Sequence, residues 1–303
     1  MWGFVLLLLL LLRPNLEMST SKSTSRSTIS EPPIHAPCGT EEQPIETTRK
    51  GIMRKFTILS LLVIGLVLVH SSFSENTSNV YQSAKRPRAL ALIGDRYHSP
   101  VYIRDGLAPA FLRENVPITF IENVEALNAE ALRDYQLLVI LRDGMNWPNG
   151  YDKEHVKWMT EDQQKAIWEF VNNGGGFLPL HNAQGLYPPG GLYYKLFGGD
   201  YGGHPDPALF TVRVEDRNHP ATAGVEDYEI YDEQHMVKYY LDRGHQLLRS
   251  ISRSNKEAAA GWWREVGKGR LVYLSPGHTA EGLGHPMTQR LIRNAIRWCL
   301  RMN

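Results

Sequence analysis

Asn172-Asn173-Gly174-Gly175-Gly176-Phe177-Leu178-Pro179-Leu180-His181-Asn182-Ala183 is the stretch on which the reading of this chain turns. A helix end, a glycine stop, a short apolar strand and a polar turn follow one another with no slack. That is the sequence form of a helix feeding a buried strand. Upstream, Thr160-Glu161-Asp162-Gln163 has the Thr-x-x-Gln form of a capping box, and Ile167, Phe170 and Val171 recur at helical spacing until the glycines stop the helix. The turn after the strand places His181 beyond the carboxyl end of the sheet, where open α/β sheets gather ligands and catalytic groups. Taken alone, His181 is equally compatible with a local capping role.

Outward from this stretch the chain alternates. Residues 88–93 read as a compact apolar strand, and Ser99-Pro100 as the N-cap and first residue of a helix reaching Asn115, weakened inside by Gly106 and Pro109. Strands are expected at 117–121 and 137–141, with a short helix at 129–134 between them. Residues 142–159 read as a long polar and aromatic loop turning at Trp147-Pro148-Asn149-Gly150. Beyond His181, a short helix is expected at 192–197 and strands at 209–214 and 246–250. A hairpin of 258–264 and 270–274 turns across Gly267-Lys268-Gly269, and an amphipathic helix at 286–300 closes the chain. Buried strands alternating with helices imply an α/β fold with a mainly parallel sheet covered on both faces.

Further motifs follow in order: Gly198-Gly199-Asp200-Tyr201-Gly202-Gly203-His204-Pro205, Asp216-Arg217-Asn218-His219-Pro220, Tyr231-Asp232-Glu233, and Ser275-Pro276-Gly277-His278-Thr279. As an ordered set from about Arg88 to the C-terminus they resemble the ThuA-like family, named for trehalose utilisation, within the class I glutamine amidotransferase-like superfamily. The resemblance implies a flavodoxin-like three-layer α/β sandwich and a link to carbohydrate metabolism, without fixing a reaction. Amidotransferases of that superfamily carry a cysteine nucleophile in the turn after the corresponding strand. Here the turn reads Leu180-His181-Asn182-Ala183, which argues against amidotransferase chemistry.

The N-terminal part differs in kind. Residues 2–12 are almost wholly apolar and 19–49 are rich in Ser, Thr, Glu and Pro, so residues 1–52 read as a mis-assigned or disordered extension unable to build a core. Met53-Arg54-Lys55, the apolar run 56–69 and Ser72-Phe73-Ser74 have the order of a secretory signal peptide, so 53–74 is expected to be a signal peptide or, alternatively, an uncleaved membrane anchor. Residues 75–87 read as a linker and 88–303 as one domain, expected to be periplasmic or secreted, or anchored facing outside the cytoplasm. A net charge of +1 gives no basic surface for nucleic acid. Of the two cysteines, Cys38 lies in the extension, and Cys299 shares an apolar helix face with Leu291, Ile292, Ala295 and Ile296 as a small core residue.

Chemistry-bearing residues concentrate in the expected edge loops. His98, His181, His204 and His278 are joined by the carboxylates of Asp95 and the Asp232-Glu233 pair. Imidazole and carboxylate oxygen suit Zn²⁺ or a similar divalent ion, with His98, His181, His204, Glu233 and His278 as the candidate ligands. Without a metal, His181 can exchange a proton near neutral pH, with Asp232 or Glu233 as its partner and His278 bonding a substrate hydroxyl or carbonyl. Arg142, Asp143, Trp147, Asn182 and Tyr201 complete the candidate substrate contacts, Trp147 and Tyr201 as aromatic faces for a sugar ring. His155, His219, His235, His245 and His285 read as surface or turn residues. The expected function is an extracytoplasmic enzyme acting on a disaccharide or oxidised sugar through a His/carboxylate site. The alternative is a non-catalytic sugar-binding module.

Overall fold

The computed structural model describes residues 86–240 and 244–302. The expected extension at 1–52, the signal peptide or anchor at 53–74 and nearly all of the linker lie outside them. Among the described residues no helix is long and apolar enough to cross a membrane.

In chain order the elements are β1 (Ala89–Ile93), α1 (Pro100–Arg113), β2 (Ile118–Ile121), α2 (Ala129–Leu132), β3 (Leu137–Leu141), β4 (Met145–Asn146), β5 (Val156–Lys157), α3 (Glu161–Asn172) and β6 (Gly176–Pro179). They are followed by α4 (Leu192–Phe197), β7 (Gly199–Tyr201), β8 (Ala208–Val214), β9 (Tyr228–Asp232), β10 (Val237–Tyr239), β11 (His245–Ser252), β12 (Glu257–Val266), β13 (Gly269–Leu274), α5 (Ala280–Gly284) and α6 (Pro286–Cys299). The capping box at Thr160 and Gln163 is formed in both directions, which fixes where α3 starts. Gly174 adopts φ +121° just after α3, a conformation that would strain any other residue there.

One nine-stranded sheet runs in the order β2-β1-β3-β6-β13-β12-β11-β8-β9. Its first four pairings are parallel, and its last four are antiparallel. The sheet is therefore mixed, because the β12–β13 hairpin reverses the chain direction at its centre. β1 and β3 are buried at every position, as strands covered on both faces must be, whereas β9 alternates buried and exposed residues.

Helices cover both faces and give three layers. On one side Ala89, Ala91, Ile93, Val139 and Leu178 pack with Leu107 and Phe111 of α1 and Leu291 and Ile292 of α6. On the other, Leu90, Leu138, Ile140 and Phe177 pack with Ile167 and Val171 of α3 and with Tyr193 and Phe197 of α4. Leu138 is fully buried in the second cluster. Leu138→Ala is expected to cost about 2–5 kcal/mol in chemical denaturation, because the packed layers on either side cannot close the cavity.

His219 is structural, as the turn in which it lies suggested. Its Nδ1 accepts from Ala221 N at 3.1 Å, and its ring stacks on Trp263 at 4.8 Å. Burial pushes its pKa down from 6.5 to about 4. A depressed histidine pKa makes a contribution that is fully present above the unfolded value and is lost as pH falls through the folded one. Protonating Nδ1 would also remove the acceptor of the cap. The stability difference between the wild type and His219→Phe, from denaturation midpoints, is expected to shrink as pH falls from about 6.5 to about 4. A pH-independent difference would contradict it.

Candidate functional site

The loops at the carboxyl ends of β1, β3, β6 and β13 meet at one edge. β9 is four antiparallel pairings removed from β13, so it points the same way, and its carboxyl end joins them. His98, Asp143, His181, His278 and Glu233 are thereby supplied by five separate strand ends.

His181 sits in the 3₁₀ turn after β6 with φ +45°, a left-handed conformation that costs a non-glycine residue on the order of 1–3 kcal/mol. The turn is pinned from β13 and the loop after it. Tyr273 Oη donates to His181 O at 2.9 Å, and His181 Nδ1 lies 2.9 Å from Ser275 O. A carbonyl only accepts, so Nδ1 carries the proton and Nε2 presents its lone pair. Nε2 is fully buried and has no hydrogen-bond partner, although it stands 3.4 Å from Glu233 Oε2. An unsatisfied buried acceptor costs about 1–3 kcal/mol, so strain and desolvation are both concentrated on this one side chain.

His98 is oriented by the same logic. Its Nδ1 lies 2.8 Å from Asp95 Oδ1, and Asp95 Oδ2 accepts from Asn182 Nδ2 at 2.7 Å and Asp143 N at 3.2 Å. Burial works against the Asp95 carboxylate, but the bond from His98 and the backbone bond from Tyr97 outweigh it and bring its pKa down to about 2. Nδ1–H of His98 therefore donates to a carboxylate, and its Nε2 lone pair faces His278 Nδ1 at 3.0 Å. Burial also pushes His98 itself toward the neutral form.

Glu233 is the hub. His235 Nε2 and His204 Nδ1 each approach it at 2.8 Å, and His278 Nδ1 at 3.4 Å. Gln184 Nε2 lies 2.6 Å from His235 Nδ1 and donates to it, which leaves the His235 proton on Nε2, aimed at Glu233. Burial pushes the His235 pKa down to about 3. Burial opposes ionisation of Glu233 too, yet His235 and His278 hold its carboxyl far below the usual range. Conversely, Glu233 draws the pKa of His278 upward. One ligating atom from each of His98, His181, Glu233 and His278 lies within 4.8 Å of the other three.

His98, Glu233 and His278 open onto a pocket of about 300 Å³, lined also by Tyr97, Asp143, Asn182, Tyr201 and His204, and the fully buried His181 meets it through Glu233. Burial, and then the negative charge of Asp95, raise Asp143 to about 7, so this carboxyl changes charge near neutrality.

Of the residues expected at the site, His98, Asp143, His181, Asn182, Tyr201, His204, Glu233 and His278 converge on this pocket or on Glu233. Four of the expected residues are placed apart from the central group. Asp232 points away from Glu233: neighbouring side chains of an extended segment point to opposite sides, and Asp232 accepts from Gly277 N at 2.7 Å and Thr279 N at 2.9 Å beneath the His278 loop. Arg142 donates to the carbonyls of Gly94 and Met145 and ties loops together. Trp147 lies under Arg96, 4.5 Å from its ring centre, and lines a neighbouring cleft. His204 reaches Glu233 but stands outside the tight group of four.

His235 was read as a surface or turn residue and is 2% exposed, bonded to the hub. The signal available was its spacing: in extended backbone residues 233 and 235 face the same side. Gln184 and Ser275 O orient their partners through contacts far apart in the chain and left no local signal. No cysteine occupies the turn after β6. Cys299 is buried on α6, where burial pushes its thiol up to about 12.

Comparison with known proteins places the chain in a family. The chain spans 71% of its length on a ThuA-like protein from Parabacteroides merdae (14% identity, 90% of that chain, TM-score 0.57). It spans 72% on a ThuA-like protein from Bacteroides uniformis (19% identity, 94% of that chain, TM-score 0.54). At these identities the likeness is one of fold. No curated protein matches the chain. The model of the ThuA family, described as trehalose utilisation, matches residues 67–299, most of the sequence, and the chain belongs to the ThuA family.

Proposed function

We propose that this protein is an enzyme of carbohydrate metabolism whose reaction centre is the pocket around His181 and Glu233. The observation that carries the reading is the buried, unpartnered His181 Nε2, held in a strained turn and facing an ionised carboxylate. Strain and an unmet acceptor kept together at a pocket floor are what a reacting group needs and what a core histidine avoids. The family description, trehalose utilisation, supports a sugar as substrate. So does the lining, where Asp143, Asn182 and His278 offer hydrogen bonds beside the rings of Tyr97 and Tyr201. A pocket of about 300 Å³ takes one sugar unit of a small saccharide rather than a chain.

In this reading a hydroxyl or carbonyl of the sugar lies against the His181–Glu233 centre, and Asp143 on the pocket wall gives or takes a proton close to neutral pH. We further propose that the protein works outside the cytoplasm, on the order of basic, apolar and small residues in 53–74. The deciding experiment incubates the purified protein with a panel of disaccharides and their oxidised derivatives and follows products by mass spectrometry. Turnover that His181→Ala abolishes supports the enzyme. Saturable binding without turnover would replace it with a sugar-binding module.

A further inference from the structure

We propose that the pocket floor is a mononuclear site for a divalent transition-metal ion, bound by His98 Nε2, His181 Nε2, His278 Nδ1 and Glu233. The inference deepens the enzymatic reading above and rests on the same pocket, but the binding of an ion is measured without any substrate.

Spacing is the first argument. Metal–ligand bonds of 2.0–2.1 Å around a tetrahedral ion put neighbouring ligand atoms about 3.3–3.4 Å apart. His181 Nε2 to Glu233 Oε2 and His278 Nδ1 to Glu233 Oε2 are both 3.4 Å, and His98 Nε2 to His278 Nδ1 is 3.0 Å. All four atoms fall within 4.8 Å of one another. A cluster held by hydrogen bonds alone would place a proton in each gap. His181 Nε2 has no such bond and no proton of its own, so hydrogen bonding leaves the centre of the group unexplained.

The outer contacts are the second argument. Metal-bound imidazoles have their far nitrogen fixed by a carboxylate, a carbonyl or water, which sets the tautomer and the ring plane. His98 has Asp95 at 2.8 Å, and His181 has Ser275 O at 2.9 Å. Glu233 has its far oxygen Oε1 held by His204 at 2.8 Å, while Oε2, which faces His181 and His278, also accepts from His235, which Gln184 in turn orients. For the two histidines these contacts free the inward-facing nitrogen as a lone-pair donor, and Oε2 of Glu233 keeps a second lone pair beside the one His235 occupies. Two imidazoles and a carboxylate held in this way, from three different loops, satisfy the donor rules of a metal centre.

The donor set selects the ion. Three imidazoles with one carboxylate suit Zn²⁺ and similar borderline ions and disfavour Mg²⁺ and Ca²⁺, which take oxygen ligands. The charges agree: Glu233 and the neighbouring Asp95 together offset a divalent cation. The pocket side remains open for water or a sugar hydroxyl, and Asp143 and Tyr201 border that opening.

The test uses the full chain without a polyhistidine tag. Elemental analysis after dialysis, and titration of chelator-treated protein with Zn²⁺, are expected to give one ion per chain, and Co²⁺ to give visible d–d bands of a four- or five-coordinate site. His278→Ala, at a half-exposed position, is expected to abolish stoichiometric binding, and His235→Gln to weaken it about 10–100-fold through Glu233. Trp147→Ala, in the neighbouring cleft, is expected to leave the affinity unchanged. Wild-type protein that takes up neither Zn²⁺ nor Co²⁺, or that binds equally well with His98→Ala and His278→Ala, overturns the site. Binding of an ion without turnover of any sugar leaves the site standing and removes the enzyme. Turnover that resists chelation but is lost in Glu233→Gln does the reverse.

Discussion

Glu233→Gln is expected to lower kcat on the true substrate by about 10²–10⁴-fold, the range over which a positioned acid–base group acts, while costing no more than the about 1–3 kcal/mol of one mispaired buried contact. The substitution keeps the shape of the side chain. Its carbonyl oxygen replaces only one of the two carboxylate oxygens: His235 Nε2 bonds Oε2 and His204 Nδ1 bonds Oε1, each at 2.8 Å, so one of these contacts is lost whichever way the amide turns. What changes is the atom facing His181 Nε2. That atom is Oε2, 3.4 Å away, so an amide NH₂ placed there reaches the lone pair only by facing the His235 Nε2–H donor as well. The variant thus exchanges one unmet buried contact for another and loses the charge that the surrounding imidazoles hold. Activity lost far out of proportion to Tm is the mark of a reacting group. A variant that retains turnover, or that unfolds like a core truncation, would show that Glu233 is a structural carboxylate.

Much of this was legible in the sequence because it is local. The capping box at Thr160, the glycine stop at Gly174 and the continuously apolar β3 each announce themselves within a few residues, and together they place His181 in its turn. Pairing partners are not local. That β13 would lie parallel to β6 and hand the sheet over to four antiparallel pairings depends on contacts spanning most of a hundred residues. β9, an edge strand of five residues with exposed Glu229 and Tyr231, carries too little apolar signal to stand out. The same distinction runs through the site. Residues in glycine-rich or strand-end turns were found. His235, two residues past Glu233, and Gln184, within the turn itself, owe their roles to each other across 51 positions of sequence. Arg142 shows the converse, since a cation at a strand end reads as a ligand contact until its fork is seen closing on the carbonyls of Gly94 and Met145.

Asp232→Ala is expected to cost about 2–6 kcal/mol of stability, at about 1–3 kcal/mol for each of the two backbone donors it strands, and to remove activity as well. Gly277 N at 2.7 Å and Thr279 N at 2.9 Å both end on the Asp232 carboxylate, one on each oxygen, and His278 lies between them. Burial disfavours the charge on this carboxyl and raises its pKa, so the group is kept in place against its own solvation preference. The surroundings are built closely around it. A Cβ at Gly282 would stand 2.7 Å from Asp232 Oδ2, and Gly277, at φ +149°, has the Leu283 side chain 3.1 Å and the His181 Cβ 3.5 Å from where its own Cβ would be. The loop therefore has one conformation, set by Asp232, and in it His278 Nδ1 faces Glu233 and His98. Asp232→Asn separates the two effects. It keeps one acceptor and turns an NH₂ toward the other backbone N–H, so it should recover roughly half of the stability but little of the activity, because His278 is still displaced. Denaturation midpoints and kcat measured on the same preparations of both variants decide the matter. Full activity in Asp232→Asn would mean that the loop holds its course without the carboxylate.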